Sequence, residues 1–234
     1  DYQPSRGLGD VYKRQGYVSE QTNYHHGEEC LNQSIIKMAQ NFVNSNNIPL
    51  LQNVGQFGSR SHAGKDAASP RYIFTKQGPL TSTIFSSLDN PLLNHAYDDG
   101  QKVEYEHYVP IIPTVLINGM TAIGTGWSSN IPTFNLLEII HKLKLLLVND
   151  LEEFELFQLT PYYHGFKGTI RSSDDTNKFI SQGNFEVKEL KNNKIVHIIT
   201  EIPVDMTIDA YKSFLELKLE QKLIKDLKNN YKFK

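Results

Sequence analysis

Residues 64–75 read GKDAASPRYIFT. Gly64, Ser69 and Pro70 punctuate a loop and the β-like run Tyr72 to Thr75 follows, so the segment reads as a loop entering a strand with Tyr72 at the junction. A tyrosine in a globular chain is as a rule half-buried, its ring packed and its hydroxyl turned to water. A chemical role asks for more: a phenol of ordinary pKa, about 10, attacks nothing at neutral pH unless a cation stabilises the phenolate or the charge growing on its target. Arg71 is such a cation. In a regular strand the side chains of Arg71 and Tyr72 point to opposite faces, yet at an irregular junction both can converge on one phosphate, whose oxygens match the guanidinium fork. Arg60, His62 and Lys65 lie upstream in the same loop as further candidate phosphate contacts, and the glycines let backbone N–H groups reach an anion. From these residues alone, packing and phosphate chemistry both stay open for Tyr72.

Upstream, Leu31, Ile35, Ile36, Met38, Ala39, Phe42 and Val43 recur at spacings of three and four, which predicts an amphipathic helix ended by Asn44 to Asn47. Downstream, PLTSTIFSSL reads as a short helical piece and DNPLLNHAYDDGQKVEYEH as a polar connector, with a domain boundary near 98–108. The second half opens with a strand-like run, Thr114 to Ile117, then small residues and glycines that allow close backbone approach. Thr133 reads as the N-cap of a helix striped by Leu136, Leu137, Ile140, Leu143 and Leu147. FKGTIRSS, NKFISQGNFEVKEL and KIVHIITEIP read as strands, the last two joined by a turn at Lys191 to Lys194, and a final helix runs from about Asp209 to Leu227. Strands flanked by helices make this half mixed α/β.

Composition excludes more than it selects. With 39% hydrophobic and 21% charged residues, the 234-residue chain can build one large or two small domains. A net charge of −2 lacks the basic excess that flags many nucleic-acid binders, so bulk charge argues mildly against DNA. The single cysteine, Cys30, excludes an internal disulfide framework and any multi-cysteine zinc site, and points to a reducing compartment. No apolar run approaches the ~18 residues of a membrane span, and the N-terminus lacks the apolar core of a signal peptide, so the chain reads as soluble and intracellular. Asp98-Asp99 and Glu152-Glu153 are paired carboxylates whose contexts read as solvated surface charge.

The ends stand apart. Residues 1–15 show no period, and RGLGDVYKRQ resembles translated sequencing-adaptor sequence, so they read as foreign or as a disordered tail. NNYKFK follows a helical pattern without a capping glycine or proline, as in a chain cut in mid-structure.

GYVSEQTNYHHGEECL, AQNFVNSNN, GQFGSRSHAGKDAASPRYIFT, YVPIIPTVLINGMTAIGTGW, IPTFN and YYHGFKGTI, in this order, resemble the breakage-reunion region of the eukaryotic-type type IIA DNA topoisomerases, which some large DNA viruses also encode. The resemblance covers roughly residues 16 to 215. It implies an α+β chain with a winged-helix (CAP-like) domain over 16–100 and a mixed α/β tower domain over 101–234. Tyr72 then matches the tyrosine that attacks a DNA phosphate and joins the 5′ end of the broken strand, and Arg71 the arginine that stabilises the charge developing there. Tyr24, His25 and His26 match DNA-contacting positions, Lys65 a residue near the broken strand, and Ile123 an isoleucine that wedges between base pairs, although on sequence alone Ile123 reads as core. The resemblance further implies double-stranded DNA as substrate, a homodimer, Mg²⁺ held by an upstream acidic cluster, ATP bound by another upstream domain, and residence in the nucleus, or in a host nucleus, cytoplasm or virion for a viral member. The chain departs from the family pattern at Ala63, where a second glycine is usual, at Met120-Thr121-Ala122 in place of Ala-Glu-Gly, and at Tyr105 and His107 in place of Pro and Trp, as in a divergent protist or viral member. Beside this reading stand a non-catalytic winged-helix DNA-binding module, with Tyr72 packing or touching phosphate, and a purely structural dimerisation piece.

Overall fold

The computed structural model describes residues 7–173, 178–190 and 194–231. The chain opens with strand β1 (Gly9–Asp10), helices α1 (Val11–Thr22) and α2 (Glu28–Ala39), and strands β2 (Leu51–Val54) and β3 (Phe74–Gln77). β3 lies between β1 and β2 and runs antiparallel to both, with Gly9 and Asn53 on either side of Thr75. Helices and sheet enclose a first core of Val11, Leu31, Ile35, Ile36, Ala39, Phe57 and Ile73. Four of those residues are the stripe of α2, buried as the three-and-four spacing requires, and Glu28 and Glu29 sit in its first turn, where the helix dipole favours negative charge.

That helix is shorter than its apolar period. It stops at Ala39, leaving Phe42 and Val43 beyond it, because the Asn46 amide folds back and donates to the carbonyls of Lys37 (2.7 Å) and Gln40 (2.9 Å). Residues 9–15, expected to be foreign or a disordered tail, are ordered as β1 and the start of α1, where Asp10 caps the Lys13 N–H (2.7 Å) and Val11 is fully buried. Only Val11 and Gln15 of this helix are buried, too few to register as a period.

Next come α3 (Thr81–Ile84), a 3₁₀ stretch over Ser87–Leu92, and the hairpin of β4 (His95–Asp98) and β5 (Gln101–Tyr105). The expected polar connector is thus a hairpin. Its two-residue turn, Asp99 (φ 47°) and Gly100 (φ 77°), has the left-handed conformation at both positions that matches strand twist. α4 (Thr114–Asn118) replaces the expected strand at Thr114 to Ile117, since a short apolar run after proline serves either structure. The hairpin of β6 (Met120–Gly124) and β7 (Trp127–Ile131) follows, then α5 (Leu136–Leu147) and α6 (Leu151–Leu156). Asn135, not Thr133, caps α5 by accepting the Leu137 N–H (2.8 Å), while the buried Thr133 hydroxyl donates to the Tyr162 carbonyl (2.5 Å). Leu136, Ile140 and Leu143 of the expected stripe pack inward, whereas Leu137 and Leu147 are exposed and Ile139 and Leu145 are buried instead.

The remainder comprises β8 (Thr169–Ser172) paired with β9 (Phe179–Gln182), β10 (Asn184–Leu190) paired with β11 (Lys194–Glu201), and α7 (Ile208–Glu220). Gly183 splits the expected strand NKFISQGNFEVKEL into β9 and β10, α7 ends before Leu227, and part of the expected turn at Lys191 to Lys194 lies outside the described residues. A second core of Ile84, Ile112, Ile117 and Ile139 takes in Ile48 and Leu50 as well, so it draws on residues from both sides of position 100. Two asparagines tie the same segments: Asn118 exchanges hydrogen bonds with the Ile48 backbone (2.9 Å each), and Asn47 donates to the carbonyls of Phe134 (3.1 Å) and Tyr162 (3.0 Å). The class is α+β with small antiparallel sheets, and no helix among the described residues is long and apolar enough to cross a membrane.

Candidate functional site

Tyr72 lies in a turn, two residues before β3, its own N–H donating to the Ser69 carbonyl (2.9 Å). The ring is 76% exposed, whereas the next residue, Ile73, is 1% exposed in the first core. A helix leaves its first four N–H groups without partners inside the helix. Here α1 spends two of them on this loop: Val11 donates to the Ile73 carbonyl (3.0 Å) and Tyr12 to the Pro70 carbonyl (3.2 Å). The loop is therefore held on both sides of a phenol that packs against little, and half-buried packing, one of the two readings open for Tyr72, does not describe it. Arg71 is exposed, its guanidinium carbon 4.9 Å from the centre of the Tyr12 ring.

The upstream loop is built around Asp66 and Gln40. Burial pushes the Asp66 carboxyl up, but the Ser59 hydroxyl (2.6 Å) and Ser59 N–H (2.8 Å) outweigh it and hold Asp66 below the usual carboxylate range. The buried Gln40 amide donates to the carbonyls of Phe57 (2.8 Å) and Gly64 (3.2 Å). Lys65 leaves this loop exposed, and Ala63 takes a left-handed conformation at φ 53°, at the position where the family pattern has glycine.

Arg60 goes elsewhere than expected. Its side chain is only 13% exposed, with Nη1 2.5 Å from Glu201 Oε1 and Nη2 donating to the carbonyls of Ile202 (2.9 Å) and Pro203 (3.2 Å). Glu201, itself 7% exposed, also accepts the Lys167 N–H at 3.1 Å. With its terminal nitrogens so engaged, Arg60 clamps the loop to β11 and offers little to a phosphate. His62 likewise meets Asp209 at the start of α7, Nδ1 to Oδ2 2.6 Å.

Tyr24, His25 and His26 follow α1, at the opposite end of that helix from the tyrosine loop, about 18 Å along its axis at 1.5 Å per residue. Tyr24 is half-buried against the first core and stands edge-on to His26, ring centres 5.4 Å apart. His25 reaches across to Asp98 on β4, Nε2 to Oδ2 2.6 Å, and the Asn23 amide donates to the same oxygen at 2.5 Å. The hydrogen bond from His25, then that from Asn23, hold the Asp98 carboxyl below its ordinary range. Asp98, read from sequence as solvated charge, is thus a partner of a candidate site residue, and the Asp-Asp-Gly turn signal was the clue to it.

Ile123, which sequence alone would place in a core, is 87% exposed near the tip of the β6–β7 hairpin. Sequence reasoning passed over Trp127, 82% exposed and paired with Gly124 across the same tip. Among the described residues no group of three or more His, Cys, Asp or Glu side chains is placed to hold a metal ion.

Known proteins match this chain almost throughout. The DNA gyrase/topoisomerase IV A-subunit family matches residues 10–233. DNA topoisomerase 2, mitochondrial, of Dictyostelium discoideum is 44% identical over 94% of this chain and 16% of its own length, and DNA topoisomerase 2-alpha of Gallus gallus is 48% identical over 84% and 12%. The chain thus spans under a fifth of those relatives. The crystal structure of the Plasmodium falciparum topoisomerase II DNA-binding, cleavage and re-ligation domain superposes with a TM-score of 0.87 at 40% identity, over 98% of this chain and 31% of that one. With a family match running from residue 10 to residue 233 and a shared fold at this identity, the chain belongs to the type IIA DNA topoisomerases, the family of the DNA gyrase/topoisomerase IV A subunit.

Proposed function

We propose that this chain is the DNA-binding and cleaving part of a longer, ATP-dependent type II topoisomerase, and that Tyr72 is its nucleophile. The Tyr72 oxygen attacks a backbone phosphorus, the bond to the 3′ oxygen breaks, and a phosphotyrosyl ester forms at the 5′ end. The phenolic proton leaves to solvent or a base, and the departing 3′ oxygen takes up a proton. One phosphoester replaces another, so reversal reseals the strand without an outside source of energy. Arg71 offsets charge on the attacked phosphate, Lys65, Tyr24, His25 and His26 contact the backbone, and Ile123 wedges between base pairs of the duplex. Two copies in a homodimer cut opposite strands, and a second duplex passes between them. Mg²⁺ and ATP belong to other parts of the longer protein, and the winged-helix and tower designations describe the two halves of this chain. The protein works where duplex DNA is kept, the nucleus for a cellular member.

The observation that carries this reading is the exposed phenol of Tyr72 on a loop fixed on both sides. The test traps protein-linked DNA with denaturant, using the longer protein with Mg²⁺ and supercoiled plasmid, in wild type and Tyr72→Phe. Adducts at 5′ ends in wild type and none in the variant are expected. An adduct that survives the substitution, or a wild type that binds DNA without ever forming one, removes Tyr72 as nucleophile and leaves a binding module.

A further inference from the structure

We propose that Asp98 is a positioning residue: from the β4–β5 hairpin it holds His25 in the orientation that meets a backbone phosphate of bound duplex DNA. The inference rests on the reading of His25 as a DNA contact and adds the group that aims it.

His25 has a side chain that is 67% exposed, yet its Nε2 is fixed 2.6 Å from an Asp98 oxygen 73 residues away in sequence. The same oxygen takes the Asn23 amide at 2.5 Å, so the carboxylate is itself held. Asn23 can do this because it adopts the left-handed conformation, φ 47°, that ends α1 and turns the chain toward the hairpin. Residues 23 to 26 are then secured one by one: Asn23 on Asp98, Tyr24 on the first core, His25 on Asp98, His26 on the Tyr24 ring. With Nε2 tied to Asp98, Nδ1 is the ring nitrogen left for the DNA backbone, and it donates to a phosphate oxygen where it carries a proton. A ring already held loses less rotational freedom on binding than a free one.

The sign of the effect separates this role from bulk charge. Asp98 is an anion beside a DNA-binding segment, so removing its charge should tighten binding if it acts only through repulsion. If it positions His25, removing the charge weakens binding. Binding of a labelled duplex by the 234-residue chain is measured by fluorescence anisotropy over a range of salt, for wild type, Asp98→Asn, His25→Ala and the double variant, with thermal melts alongside. Asp98→Asn is expected to bind about tenfold more weakly, with a salt slope lower by about one, and to add no further loss once His25 is alanine. Asn23→Gly keeps the left-handed backbone and frees the carboxylate, so it should show a smaller loss of the same kind even if Asp98→Asn fails to fold. If His25→Ala weakens binding while both Asp98→Asn and Asn23→Gly bind as tightly as wild type or tighter, the positioning role is overturned and the DNA contact stands. If His25→Ala itself binds like wild type, the contact falls and the inference with it.

Discussion

Arg60 offers a direct contest between what its place in the sequence suggests and what the structure does with it. Arg60→Gln removes a guanidinium whose Nη atoms hold Glu201 and two carbonyls, and leaves a carboxylate 7% exposed without its cation. Breaking a buried pair from one side costs about 3–5 kcal/mol, because the surviving charge is left uncompensated. Two features set the lower end of that range here. Glu201 keeps the N–H groups of Lys167 (3.1 Å) and Ile202 (3.0 Å), and Arg60 Nε is buried with no partner among the described residues, which already lessens the worth of the clamp. A loss of about 3 kcal/mol in a chain of this length lowers Tm by about 6–12 °C, read by differential scanning calorimetry. Arg60→Met combined with Glu201→Gln leaves no buried charge and retains an acceptor for the two N–H groups, so it should recover much of the loss, with a coupling above about 1 kcal/mol. DNA binding, measured in the same preparations below their melting range, should keep its salt slope. An Arg60→Gln variant that melts within about 2 °C of wild type and loses about one unit of slope refutes the clamp and returns Arg60 to the phosphate.

Two further outcomes test the loops around the site. At Gly58 (φ 95°) a Cβ would lie 2.5 Å from the Gly64 carbonyl oxygen and 2.7 Å from Gly64 Cα, backbone that cannot swing aside, so Gly58→Ala should cost about 2–5 kcal/mol by urea unfolding. Gly100→Ala meets nothing within 4 Å and should cost only the ~1–2 kcal/mol of left-handed strain; equal costs at the two positions would sink the steric account. Trp127 is the only tryptophan of the chain and is 82% exposed at the hairpin tip, so duplex DNA should quench its emission or shift it to the blue. An unchanged spectrum at saturating DNA would move the β6–β7 hairpin, and Ile123 with it, away from the duplex.

Much of this was legible in the residues, and the failures share a cause. The α2 stripe, the α+β class and the loop entering β3 follow from short-range patterns that one segment carries by itself. What escaped depends on partners far along the chain. The end of α2 is set by Asn46, the burial of Ile139 beside the α5 stripe by the second core it meets, and the fates of Arg60 and Asp98 by residues 141 and 73 positions away. The hairpin at Asp99-Gly100 is the exception, a local turn signal that was present and outweighed by the polarity around it.

Arg60 and Asp98 in effect exchange the places that their charges assign them. A cation in a glycine-rich loop beside the tyrosine suits a phosphate, but its fork also matches a carboxylate, and the fold sets Glu201 and the carbonyls of Ile202 and Pro203 against it. An anion in a polar stretch suits solvent, but it lies where the α1 C-terminus delivers the His25 ring to it. The clamps around the tyrosine loop, from the α1 N–H groups to Gln40, Asp66 and Arg60, act on its flanks and leave the exposed Tyr72 side chain untouched. Under the proposed function, a loop made rigid in this way would keep attack and resealing on the same coordinates, which a reversible ester exchange demands and simple DNA binding does not.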